Sequence, residues 1–258
     1  MKKTLLGAAA AFAIAAPVSA HADVVGHFDL SYQAANINWS GPGDSDVNAW
    51  TLGGAMIMPL HDGWNVQFDA NHENYNWDGG DYDSAVSNVT LHGVYRTDSY
   101  GIGAYAGFGS IYSQTLYMIG GEGQYYLPNA TIGGAISYGA TSDGYDYNAW
   151  DARINGAYFF TPDLDVNGTV SYTSWDDYDT SVTGIGIGGE YRFANCPFSV
   201  GANYLHETWD YGSSDVDANV FKISLSYHFG ADSLQAQSQH GASFDAAPRF
   251  VDVWTRWD

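Results

Sequence analysis

Cysteine, positive charge and long apolar runs are all scarce in this chain. The single cysteine, Cys196, has no partner for an intramolecular disulfide. Lysine and arginine number eight against 29 aspartates and glutamates, a formal net charge of −21. That balance opposes nucleic-acid binding, which needs a basic footprint, and favours cations or basic partners. Past the N-terminus, no apolar segment approaches the ~20 residues of a membrane-spanning helix. If the chain enters a membrane, it must do so as a closed barrel, the other structure that leaves no backbone polar group unpaired in lipid.

The N-terminus reads as an export signal. Lys2 and Lys3 form a positive head, Leu5 to Ala16 an apolar run, and Pro17 to Ala22 a break followed by small residues. Cleavage fits after Ala20 or Ala22. The second is preferred, because strand-like text starts at Asp23. This divides the chain into a signal peptide (1–22), a barrel (23–229) and a periplasmic C-terminal tail (230–258). The signal holds two of the eight basic residues and no acid, so the remainder carries six against 29, or −23. With 31 glycines, 20 tyrosines and nine tryptophans, the composition suits many short strands with interfacial aromatics rather than disorder.

Period-two alternation dominates residues 23–229. Phe221, Ile223, Leu225, Tyr227 and Phe229 alternate with Lys222, Ser224, Ser226 and His228. Leu164 to Thr173, Gly184 to Phe193, Trp64 to Asn71 and Trp150 to Tyr158 repeat the pattern. Twelve such segments can be placed, each near the length that crosses a bilayer as a tilted strand. The connections also alternate. Short turns, four of five with proline, take turns with generally longer acidic ones. The expected fold is all-β: a transmembrane antiparallel up-and-down barrel of about 12 strands, with both ends in the periplasm. The first segment changes hydrophobic parity near Ala34, which predicts a β-bulge there.

The run Phe221-Lys222-Ile223-Ser224-Leu225-Ser226-Tyr227-His228-Phe229 resembles the C-terminal assembly signal of Gram-negative outer-membrane proteins. Gly189-Glu190-Tyr191-Arg192-Phe193 resembles strand ends common in porin-like barrels. The resemblance implies residence in the outer membrane among its lipids, and recognition by the barrel-assembly machinery through Leu225, Tyr227 and Phe229. One departure is that such chains usually end at the aromatic, whereas Gly230 to Asp258 follow here. Residues 231–247 are small and polar and read as a flexible segment. The alternative is that the aromatic end, Phe250 to Trp257, docks onto the barrel or a periplasmic partner.

If the polar faces point inward, the lumen contains Asp29, Asp69, Glu73, Glu122, Asp151, Asp165, Glu190 and Glu207 against Arg96, Arg153, Arg192 and Lys222. Acidic walls around water favour cations. The expected function is therefore a porin-like channel for passive diffusion of small solutes, weakly cation-selective. The opposing reading is that these groups pair across the lumen and fill it, leaving a structural or adhesin barrel whose acidic loops bind partners or divalent ions. The carboxylates Asp78, Asp81 and Asp83 are weak candidates for Ca²⁺, since their spacing does not match an EF-hand loop. No other cofactor is expected.

The enzyme class has little support in the sequence. No histidine is followed two residues on by serine, and neither G-x-S-x-G nor H-E-x-x-H occurs. His72 and His206 fall on outward faces near the outer rim, where a lipid hydrolase would place a base.

Overall fold

Twelve strands close into one antiparallel barrel in the computed structural model, which describes residues 24–39, 44–77, 83–111, 114–142, 148–175, 180–212 and 214–244. They are β1 (Val25–Trp39), β2 (Asp44–Pro59), β3 (Trp64–Trp77), β4 (Asp83–Arg96), β5 (Tyr100–Ile111), β6 (Gln114–Leu127), β7 (Ala130–Ser142), β8 (Asn148–Thr161), β9 (Leu164–Trp175), β10 (Thr180–Arg192), β11 (Phe198–Asp210) and β12 (Asp215–Phe229). Each pairs with its sequence neighbours, and β12 returns to β1 from Gly26↔Phe229 to Trp39↔Val216. No edge is left open to template aggregation. The expected signal peptide, residues 1–22, lies outside the described residues, as do Asp78 and Asp81.

Alternation sorts each strand into a lipid face and a lumen face. Leu91, Ile102, Ile119, Ile136, Ile154, Ile185, Ile187 and Ile223 are all at least half exposed, and they form an apolar belt. Aromatics bound it on both sides. Tyr125, Tyr158, Tyr191 and Tyr227 lie toward the short turns; Trp50, Tyr117, Trp150 and Tyr172 lie toward the other end. On β6 and β8 the two rings are eight residues apart, about 26 Å along a strand. At a tilt near 40° this spans about 20 Å of membrane depth, close to the apolar band of outer-membrane barrels.

The strands outlast this belt, and there the pattern inverts. In β1, lumen-facing Ser31 and Gln33 give way to buried Ala35 and Ile37, while Asn36 bonds across the outer surface to Asp46 at 2.8 Å. In β12, Val216, Ala218 and Val220 turn inward while Asn219 accepts from Tyr204 on the outside at 2.6 Å. The parity change near Ala34 is therefore no bulge. Pairing runs unbroken through Ala34↔Phe221 and Ala34↔Asn48. The side chains keep their faces and the chemistry exchanges sides, because above the membrane water lies outside and the packed interior inside. The irregularity in pairing falls elsewhere, between β8 and β9 at Phe159/Thr161.

The inverted layer is a hydrophobic core across the outer lumen. Ile37, Tyr75, Leu116, Met118, Trp175, Val182 and Trp209 pack in it, with the Trp175 and Trp209 rings stacked at 5.8 Å.

The C-terminal segment departs from the sequence expectation. Residues 231–247 read as flexible, yet residues 230–244 are folded into the barrel mouth at the end of the short turns. Gly230 (φ 76°) turns the chain back after β12, and a side chain there would collide with the Val24 carbonyl oxygen at 2.1 Å. A short helix follows, α1 (Leu234–His240). Ser233 caps its start by accepting from the Ala236 amide at 3.0 Å, and the Gly241 amide closes its end on the Gln237 carbonyl. This helix touches β1 and β7, six places apart in the ring of twelve, so it reaches from one wall to the opposite one. The aromatic end from Phe250 to Trp257 lies outside the described residues.

Candidate functional site: the lumenal compartment

Between the outer apolar layer and the C-terminal segment lies a cavity of about 530 Å³. Its walls carry Asp29, Asp69, Glu73, Asp165 and Glu190 against Arg153 and Lys222, with amides and hydroxyls between them. Leu234, Gln237 and Phe244 contribute from the C-terminal segment, and Val86, Leu205 and Val220 mark its outer limit. Seven of the twelve charged residues read from the sequence line this space.

The other five also point inward but are engaged in the wall or the mouth. Glu122 contacts His92 Nδ1 at 2.7 Å, and Asp69 meets Nε2 of the same ring at 2.7 Å. His92 is fully buried and bridges β3 and β6 from β4. Asp151 accepts from Thr173 Oγ1 at 2.8 Å, and Glu207 is buried on β11. Arg96 and Arg192 reach the C-terminal segment, donating to the carbonyls of Gly241 at 3.0 Å and Ala231 at 2.8 Å. A second wall cluster joins three strands: Ser199 donates to Glu190, and His228 Nε2 lies 2.7 Å from Ser199 Oγ and 3.2 Å from Glu190. Gln33 donates to Glu73, which ties β1 to β3 across β2.

The sequence reading singled out charged residues and so passed over His27, Gln33, Gln67, His92, Gln124 and His228. Each shares strand parity with a residue it did select, and that parity was the available signal. For α1 the signal was a serine before a helix-compatible run that ends in glycine.

With the belt, the closed ring and the lumen in view, the architecture has clear counterparts. The chain superposes on an outer-membrane channel from Pseudomonas putida F1 with a TM-score of 0.64 at 11% identity, covering 80% of this chain and 95% of that one. The fold is that of a Gram-negative outer-membrane β-barrel. The CymD monoaromatic hydrocarbon channel matches at a TM-score of 0.57 and 10% identity, covering 80% and 88%. A FadL homologue of Pseudomonas aeruginosa matches at 0.50 and 10%, covering 80% and 90%. No family model matches the sequence, and no curated protein matches it.

On this barrel, the residues of the predicted assembly signal lie at the closing seam. Leu225 and Tyr227 face outward, and the Phe229 ring packs against Phe28 of β1 at 5.4 Å. Both histidines considered for lipid hydrolysis also face outward. His72 Nδ1 lies 2.8 Å from Ser87 Oγ, while its Nε2 faces the Asn74 amide nitrogen at 3.1 Å. Both ring nitrogens of His72 are thus engaged by neighbours on the outer surface, Ser87 and Asn74. His206 lies 3.1 Å from Asn219. Asp83 begins β4; its side chain, like Asp78 and Asp81, lies outside the described residues, so the Ca²⁺ candidates fall outside the described site.

Proposed function

We propose that the protein is a passive channel of the outer membrane that carries small polar solutes and prefers cations. The lumenal cavity is the observation that supports this most directly. A barrel built only for structure has no need of a 530 Å³ compartment whose walls hold five carboxylates against two cationic side chains. In a low-dielectric surround that excess attracts cations and repels anions. The superposed channels share the architecture and lend the reading weight.

One observation favours the opposing structural reading. The stacked Trp175 and Trp209 and their apolar neighbours lie across the outer lumen, in series with the polar compartment. A channel must open this layer, whereas a structural barrel keeps it shut. Purified protein in planar bilayers separates the two. The channel reading expects discrete conductance steps and a reversal potential displaced toward the cation in a salt gradient. Silence under all voltages would favour the structural barrel, and a displacement toward the anion would overturn the selectivity. Assembly through Leu225, Tyr227 and Phe229 by the barrel-assembly machinery, in contact with outer-membrane lipid, belongs to the same proposal.

A further inference from the structure

The periplasmic mouth holds its own chain as a bound peptide holds in a groove. Residues 241–244 are gripped mainly through their backbone. Arg96 Nη1 donates to the Gly241 carbonyl at 3.0 Å, and Gln124 Nε2 to the Ser243 carbonyl at 2.9 Å. Gln67 takes Phe244 at both ends, donating to its carbonyl and accepting from its amide at 3.3 Å. That two-point contact resembles the pairing of an added strand, made here by a side-chain amide. Phe244 itself is buried, under the Arg96 guanidinium at 5.2 Å and over the bare backbone of Gly101. A Cβ at Gly101 would lie 2.8 Å from that ring.

The helix docks just as specifically. Gln235 Nε2 donates to the Pro128 carbonyl at 2.6 Å and Gln239 Nε2 to the Leu127 carbonyl at 2.8 Å. Ser238 donates to Thr131 Oγ1 at 2.9 Å. Anchors therefore come from β3, β4, β6 and β7 and from the β6–β7 turn, and Leu234, Gln237 and Phe244 close the cavity on this side.

From this arrangement we infer that the periplasmic mouth is a peptide-binding site whose resident ligand is residues 230–244, and that this peptide is a tethered plug which must withdraw before solute passes. The inference rests on the channel reading for its consequence, but the site can be tested without it. Leu234, Ala242 and Phe244 are buried, but the remaining contacts are polar and largely backbone-directed, and the segment joins β12 through the Gly230 turn. They suit a reversible occupant better than a permanent core. The ligand class follows: an extended peptide with a small residue, a serine and an aromatic in succession, presented after a polar helical turn.

The test uses a thiol placed in the compartment, Ser224→Cys with Cys196→Ser, in folded full-length protein in detergent. Ser224 lines the cavity. With the outer layer packed, a charged thiol reagent reaches it from the periplasmic side. Ending the chain after Phe229 is expected to speed labelling at least tenfold, and a synthetic peptide of residues 230–258 added in trans should restore protection. Arg96→Ala in the full chain should fall between the two, which keeps the test valid if the truncated form fails to assemble. Equal labelling rates in full-length, Arg96→Ala and truncated protein would overturn the plug. Conductance is read separately on the same variants. Fast labelling without conductance in the truncated barrel would sink the channel and leave the peptide site standing. Conductance that is equal with and without the segment, at unequal labelling, would remove its gating role.

Discussion

Arg96 stands with its guanidinium carbon 5.2 Å from the Phe244 ring and 5.7 Å from the Tyr126 ring. Arginine and phenylalanine lie 148 positions apart in the chain, and their contact is one of those that seat the C-terminal segment in the lumen. A desolvated cation–π contact contributes about 0.5–2 kcal/mol, and a hydrogen bond from a charged donor about 1.5–3 kcal/mol. Arg96→Ala is therefore expected to weaken docking by on the order of 2 kcal/mol, roughly thirty-fold in the docking equilibrium. Chymotrypsin cleavage at Phe244 in folded protein reads this. Unchanged cleavage would mean that the arginine contributes nothing to retention.

Gly101→Val attacks the same seat from the other side. The added carbon meets Phe244 at 2.8 Å and the Tyr126 hydroxyl at 2.7 Å, both from a backbone position with little freedom to yield. Phe244 should leave while the barrel remains, visible as faster chymotrypsin cleavage with unchanged heat-modifiable mobility. A variant that loses the mobility shift as well would show that Gly101 serves the barrel wall rather than the plug.

His92 separates two buried carboxylates. Replacing it by leucine leaves Asp69 and Glu122 facing each other without an N–H between them, a cost of about 3–5 kcal/mol for a broken buried pair. The triple change His92→Leu, Asp69→Asn, Glu122→Gln should recover most of that loss. Urea unfolding in lipid vesicles compares the two. Equal stability of single and triple variants would show that the histidine acts by packing alone, in its stacked contact with Tyr105 at 5.3 Å.

The inversion of pattern predicts where a charge is tolerated. Ile154 is 67% exposed in the middle of the apolar belt. Arginine there should cost about 2–4 kcal/mol, as at a bilayer midplane. Asn36→Arg, on the same outward face but above the belt, should stay within about 0.5 kcal/mol. Vesicle unfolding of both variants checks the difference, and equal costs would move the membrane boundary past Asn36.

Asp165→Asn with Glu190→Gln removes two of the five lining carboxylates. The reversal potential in a salt gradient should move toward zero, with single-channel conductance still present. An unaltered potential would place the selective step elsewhere in the lumen.

The barrel itself was legible because its physics is local. Strand length, alternation, proline turns and a terminal aromatic each belong to one segment, and together they give the strand count and the inward set from Asp29 to Lys222. The fold of residues 230–244 was not legible, because the reason for it is remote. Residues 231–244 lack the apolar content to order alone; Gln67, Arg96 and Gln124, distant in sequence, supply partners for Gly241, Ser243 and Phe244. The reading at Ala34 failed for a related reason. A change of chemistry along a strand was taken as a change of geometry, when the surroundings had changed and the backbone had not.

Because the greasy band ends where the strands exchange their faces, the protein's match to its bilayer is set by sequence position and is independent of total strand length. Extending β1 and β12 by two residues beyond Asn38 and Asp217 would lengthen the rim that stands in water without altering hydrophobic mismatch. Variants of such a barrel are thus free to project their loops farther from the bilayer while keeping the same fit to the lipid.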